Sequence, residues 1–243
     1  MVSIEVIVLF AFFSSLPNEL LWFIFMMVDL SVAVVLFKFF KRDGLYMLIV
    51  GNIILANIQV VKLVELFGFT ATLGNILYGS IFFATDILSE IYGKKEARRG
   101  VILGFASLLM MTLYMQFALY IKPIEEANAV QNALQTIFGI MPRIALGSLT
   151  AYLISQFHDV WAFHFWKKIT SGKHLWLRNN LSTMVSQFID SFVFVFIAFW
   201  GVFDFSIWWQ VLWTTYIFKW IVAAIDTPFI YLAKWLWEKE VKA

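Results

Sequence analysis

The residues able to do chemistry in this chain are few and occur in repeated sets. Asp86 and Glu90 stand at i,i+4, so their carboxylates project from one face of a helix about one turn apart, while Asn57, Gln59 and Lys62 bring amides and an ammonium to the apolar run before them. Ser155, Gln156 and Asp159 occupy neighbouring positions on one later run, and Ser186, Gln187 and Asp190 nearly repeat that spacing on the next. Tyr216, Lys219 and Asp226 put a polar stripe on the last run, and Arg143 is a further isolated cation. A carboxylate beside amide side chains holds the N–H edge and carbonyl of a flat heterocycle in its plane, and Phe or Trp covers the faces. Asn57, Gln59, Asp86, Gln156, Asp159, Gln187 and Asp190 have side chains suited to such a ring, as do Glu90 and Asp226, while Lys62, Arg143 and Lys219 could balance the acids.

Other chemistries find little support. The absence of Cys removes disulfides, thiolate catalysis and thiolate metal ligation, and His158, His164 and His174 are too awkwardly spaced for a zinc or haem site, so neither a metal nor a cofactor is expected. No Ser–His pairing or metal triad suggests an intramembrane enzyme. Residues 74–80 lack the lysine of a phosphate-binding loop; Gly74 and Gly79 suit close helix approach instead. The polar set could also be interhelical glue, since membrane bundles join helices through Ser, Asn and Gln.

The elements that must position these groups are membrane spans. Of 243 residues, 62% are apolar and 14% charged, with 27 Phe, 11 Trp and a net charge of +2, a composition unlike that of a soluble domain. The expected fold is an all-α polytopic membrane helix bundle. Apolar runs between polar breaks give spans near 19–41, 45–64, 73–92, 98–120, 137–166, 179–200 and 207–236. Residues 4–16 form a shorter apolar run ended by Pro17-Asn18, and with Glu5 and no basic leader or small-residue cleavage site they are not expected to be a cleaved signal.

Fourteen of the 18 basic residues sit at four places: Lys38, Lys41 and Arg42; Lys94, Lys95, Arg98 and Arg99; Lys167, Lys168, Lys173 and Arg178; and Lys234, Lys239 and Lys242. The alternate connections carry Glu65, residues 122–126 with two acids, and residues 201–204. This alternation suits an odd number of spans with a cytoplasmic C-terminus, and it explains the basic clusters without nucleic-acid binding. The connection over residues 120–136 reads as a solvated loop. Trp208, Trp209, Trp213, Trp235 and Trp237 read as interface anchors. Lys62, Arg143 and Lys219 lie in or near spans and need partners, for which Asp86, Glu90, Asp159, Asp190 and Asp226 are available.

Asn57-Ile58-Gln59-Val60-Val61-Lys62, then Tyr78 and the thread from Thr85-Asp86 through Glu90-Ile91-Tyr92-Gly93 to Arg98, resemble the queuosine precursor transporter family, also called the vitamin uptake transporter family. The resemblance continues through Arg143-Ile144-Ala145, Ser148, Ala151-Tyr152, Gln156-Phe157-His158-Asp159-Val160, Ser186 to Asp190, Phe196-Ile197-Ala198-Phe199, and Tyr216 with Lys219, covering about residues 45–236. It implies a six-helix core over 45–236 like the substrate-capture subunits of vitamin uptake systems, an extension over 1–44 and a tail over 237–243. It implies import of 7-deazaguanine precursors of queuosine across the cell membrane by a stand-alone carrier with no dedicated ATPase module, and carried onto these residues it makes Asn57, Gln59, Asp86, Gln156, Asp159, Gln187 and Asp190 the substrate-binding groups and Lys62, Glu90, Arg143 and Lys219 the charge-balancing or gating groups. Consumption of the precursor by tRNA-modifying enzymes would draw it inward, so that no coupling ion is strictly needed. Some family members have Asn at the position of Gln187, and not all are acidic at that of Glu90, which ranks Asp86 above Glu90 for substrate contact. Composition and spacing alone leave other small vitamins, purines or a structural role open.

Overall fold

The computed structural model describes Phe13, residues 15–169 and residues 175–241. Its elements are α1 (Asn18–Gln59), β1 (Leu63–Leu66), β2 (Phe69–Thr72), α2 (Asn75–Ile87) continued by a π turn (Leu88–Tyr92), α3 (Lys94–Tyr120), a 3₁₀ turn (Glu125–Ala127), α4 (Asn128–Phe138), α5 (Met141–Ile169), α6 (Leu175–Phe199) and α7 (Phe205–Val241). The chain is an all-α polytopic bundle, apart from one small hairpin. Most of the expected segment at residues 4–16 lies outside the described residues.

By length α1 could be one very long helix, but it contains two crossings. Lys41 has left-handed φ of 54° inside it. At about 1.5 Å per residue, Asp29 and Asn52 would stand far apart on a straight rod, yet the Asn52 amide donates to the Asp29 carboxylate at 2.9 Å. The Asn18 amide likewise reaches the Glu65 carbonyl at 3.1 Å. Residues 18–40 and 42–59 are thus antiparallel limbs, as the Lys-Arg-Asp-Gly break predicts.

The helices fall into two compact units, residues 1–104 with 221–243 and residues 105–220. In the first, contact ladders give every helix a direction. The second limb of α1 runs antiparallel to α2, through Asn52 to Ser80 at 2.6 Å and Ala56 beside Gly74, and parallel to α3, through Ile49 beside Gly100 and Ile53 beside Gly104. Gly79 meets Val222, Glu90 meets Lys234, and Tyr92 packs edge-on against Trp237, so α2 and the end of α7 are parallel. In the second unit α5 and α6 are antiparallel, with Ser155 opposite Asp190 and Gly147 against Phe194 and Ala198, and α6 and α7 are antiparallel as well. Within each unit, the directions are those of helices that run back and forth in chain order.

Glycine permits the tightest approaches. A Cβ on Gly74 would lie 2.5 Å from the Ala56 carbonyl oxygen, and one on Gly79 would lie 2.0 Å from a Val222 methyl. The basic flank before span 98–120 is also ordered: Tyr46 donates to Glu96, and Arg42 lies 3.6 Å from it. The Tyr46 hydrogen bond, followed by the charges of Arg42 and Arg99, holds the Glu96 carboxyl below its usual range.

Three features depart from expectation. The second span stops at Gln59, and residues 63–72, partly assigned to it, form a β-hairpin whose Phe67 and Gly68 have φ of 53° and 78°, the pattern of a type I′ turn. Glu19 accepts from the Phe67 amide at 2.9 Å and ties this hairpin to the start of α1. The connection expected as a solvated loop contains α4, held to α3 by Gln131 donating to the Leu119 carbonyl and Gln116 donating to the Phe138 carbonyl. Trp208 is 4% exposed and donates to the Val195 carbonyl, so it is a packing residue, whereas Trp209, Trp213 and Trp235 are exposed as interface anchors would be.

Candidate functional site

Each unit holds its own polar cluster. In the second unit Asp190 is central: Lys219 from α7 makes an ion pair with Oδ2, and the Ser155 hydroxyl from α5 donates to Oδ1 at 3.3 Å. His158 Nδ1 and the Ser186 hydroxyl are 3.0 Å apart on the same pair of helices. Antiparallel packing of α5 on α6 brings Ser155 to Asp190 and His158 to Ser186. The Oε1 atom of Gln187 is buried and has no hydrogen-bond partner among the described residues, and the same is true of the hydroxyls of Ser191 and Thr215. A buried amide oxygen without a donor is costly, by about 1 to 3 kcal/mol, unless a ligand supplies one. Phe188 stands edge-on to Tyr216 and close to Trp213, giving α6 and α7 an aromatic wall. The side chains of Gln156 and Asp159, and of His164, lie outside the described residues, as does His174.

Arg143 plays a part that spacing did not suggest. Its guanidinium donates through Nε to the Ile197 carbonyl and through Nη2 to the Trp200 carbonyl, at the C-terminal end of α6. Those carbonyls have no intrahelical donors and carry the negative end of the helix dipole, so Arg143 serves as their cap. Arg143→Lys keeps the charge but loses the planar fork. It is expected to lower stability by about 1 to 2 kcal/mol, read in thermal unfolding of the purified protein; unchanged unfolding would remove the capping role.

In the first unit Asp86 on α2 and Asp226 on α7 are near enough for their charges to act on each other. Asp86 is accessible, whereas Asp226 is 4% exposed. Neither makes an ion pair among the described residues. Glu90, one turn on, pairs with Lys234 at 2.7 Å, both groups being well exposed. Gln59 has a buried, unpartnered Oε1. Asn57 is fully buried and donates to the Ile53 carbonyl at 2.6 Å, so at least one of its amide hydrogens serves its own helix. Lys62 is exposed at the start of the β-hairpin.

The sequence reading missed a third cluster. Asp29, Asn52 and Ser80, from the two limbs of α1 and from α2, are 7%, 7% and 1% exposed. The signal was available, because an Asp in the middle of an apolar run is expensive in lipid and rarely without a role. A separate groove of about 470 Å³, lined by Phe23, Ile24, Met27, Val28 and Val32 among others, lies on the first limb of α1. Its lining is apolar and offers nothing to read the polar edge of a solute; it suits lipid.

Apolar crossings enclosing buried carboxylates, amides and a paired lysine define a polytopic membrane protein of the transporter class. The family described as "Putative vitamin uptake transporter" matches residues 72–233. The "Probable queuosine precursor transporter" of Bacillus subtilis (strain 168) is 45% identical over 218 residues, covering 89% of this chain and 95% of that protein. The "Queuosine precursor transporter" of Escherichia coli (strain K12) is 28% identical over 165 residues, covering 67% of this chain and 72% of that protein. No solved structure matches. The chain belongs to the vitamin uptake transporter family.

Proposed function

We propose that this protein imports queuosine precursors, 7-deazaguanines such as preQ0 and preQ1, across the cell membrane. The observation that carries the reading is the near full-length match to the B. subtilis relative of that name. The side chains are chemically suited to such a ring. Within the first unit the Gln59 oxygen and the Asp86 carboxylate can accept from its N–H groups, and within the second the Gln187 oxygen can; an amide N–H of the same glutamine donates back to the ring carbonyl. Asp190 already has a lysine, which makes Asp86 the stronger candidate for direct contact. Gln156 and Asp159 are candidates by their place in the repeated set. The basic clusters support a cytoplasmic C-terminus. The carrier acts alone in the lipid, without a dedicated ATPase module, a nucleic-acid partner or a cofactor; residues 45–236 form its core, 1–44 its extension and 237–243 its tail.

The test is queuosine in tRNA of a strain unable to make the precursor, grown at low external precursor with and without this gene. The gene is expected to restore queuosine, and equal queuosine in both strains would overturn the reading. In the same assay Gln187→Leu, Gln59→Leu or Asp86→Asn removes one hydrogen-bonding group, about 1 to 3 kcal/mol or roughly 5- to 150-fold in apparent affinity, with the protein still in the membrane. Guanine-like rings are expected to compete and adenine not, because adenine presents a donor where the site supplies one.

A further inference from the structure

We propose that Asp29 is a proton-binding site of this transporter, carrying a proton on Oδ2 when the two limbs of α1 are closed on α2. Asp29 Oδ1 accepts from the Asn52 amide at 2.9 Å, while Oδ2 is buried with no partner among the described residues. The orientation of Asn52 is set by its neighbour. Ser80 donates its hydroxyl hydrogen to the Leu77 carbonyl at 3.0 Å, so it faces Asn52 as an acceptor, at 2.6 Å, and the Asn52 nitrogen must point to both Ser80 and Asp29.

The elements packed on Asp29 therefore bring it one amide and one hydroxyl, and no charged side chain acts on it. Met26, Ala33, Ile49 and Phe83, on neighbouring turns of the same helices, are fully buried. An ionised carboxylate there has one amide donor, one nearby hydroxyl and no counter-charge among the described residues, whereas the neutral acid needs no cation. A metal cation requires several oxygens, and only one is free, which favours a proton; no cluster of metal-ligating acids or histidines occurs among the described residues. Uptake forms one O–H bond at Oδ2 with a proton from water. Release returns that proton to water and leaves a charge the closed site does not stabilise, so the limb of α1 bearing Asp29 loosens from α2. Transport thereby responds to pH, in addition to being drawn by consumption of the precursor.

The inference rests on the transport reading only for that last consequence, so its first test uses no substrate. Infrared difference spectra of the full-length protein in lipid nanodiscs, titrated with acid, are expected to show the carbonyl band of one buried carboxylic acid, absent in Asp29→Asn. Asn52→Leu, which removes the hydrogen bond to Oδ1, is expected to move that band to higher frequency, so a poorly folding Asp29→Asn leaves the site testable. A band unmoved by both substitutions overturns the proposal, as does its absence from the unsubstituted protein. In proteoliposomes, uptake of a 7-deazaguanine is expected to vary with pH for the unsubstituted protein and to lose that variation in Asp29→Asn; an unchanged pH profile overturns the coupling. Failure of uptake in both proteins with the infrared band present overturns the substrate reading and the coupling, and leaves the proton site standing.

Discussion

Exchanging Lys219 for methionine is expected to stop transport and to destabilise the folded protein by about 3 to 5 kcal/mol. The Lys219 and Asp190 side chains are only 12% and 20% exposed, and methionine leaves the carboxylate with a single long hydrogen bond, 3.3 Å from Ser155. The penalty is that of an unpaired charge within the bundle, and it exceeds the net worth of the pair. The double substitution Asp190→Asn with Lys219→Met removes both charges and is expected to recover most of the stability while transport stays low. Denaturant unfolding of the purified variants, beside uptake in cells, separates the two effects. Full uptake by the double variant would make the pair purely structural. Stability unchanged by Lys219→Met would mean that Asp190 finds another partner or water.

Gly79→Ala is the second large effect, although it adds one methyl group. The new carbon would lie 2.0 Å from Val222 Cγ1 and 3.0 Å from its Cβ, and the β-branched valine has little rotameric freedom in a helix. Either α2 must move away from α7 or the valine must leave its rotamer, at about 1 to 3 kcal/mol. The same contact anchors the ladder that carries Asp86, Asp226, Glu90 and Lys234, so uptake is expected to fall with stability. Val222→Ala removes the offending methyl, and Gly79→Ala with Val222→Ala is expected to regain most of the lost melting temperature. Equal destabilisation by the single and double variants would show that the clash is relieved elsewhere.

The outcome at particular residues marks how far the chain could be read in advance. The break at residues 41–44 was legible because Lys, Arg, Asp and Gly together interrupt an apolar run, and the structure folds back there. Gly74 and Gly79 were legible as close-approach sites because a missing side chain among large apolar ones has few other uses in lipid. The hairpin at residues 63–72 was not, since Leu-Val-Glu-Leu continues the apolar pattern and only the Phe67-Gly68 turn ends it. Helix α4 was hidden for the opposite reason, because its polar surface reads as loop and its docking depends on glutamines reaching distant carbonyls.

The candidate site divides in the same way. Lys219 stood out as a cation requiring an acid, yet Asp86, Glu90, Asp159, Asp190 and Asp226 were all open choices until the packing of α7 on α6 put the ammonium on Asp190. Arg143 likewise required negative charge and found it in backbone carbonyls, which no pattern of acidic residues reveals. Asp29 passed unnoticed beside denser polar sets, although its place in an apolar run marked it.

By itself, the sequence determined that the chain lives in a membrane, about where most of its long helices begin and end, and how the basic loops alternate. Transfer of apolar residues into lipid and the cost of moving charge across it are nearly additive along a chain, so they can be summed without knowing any neighbour. Which acid meets which cation, which amide oxygens remain unpaired and which valine fills the space beside a glycine were decided only by the tertiary structure. Hydrogen bonds and steric contacts change over about half an ångström, and helix rotation and depth are set at that scale by packing among several helices at once.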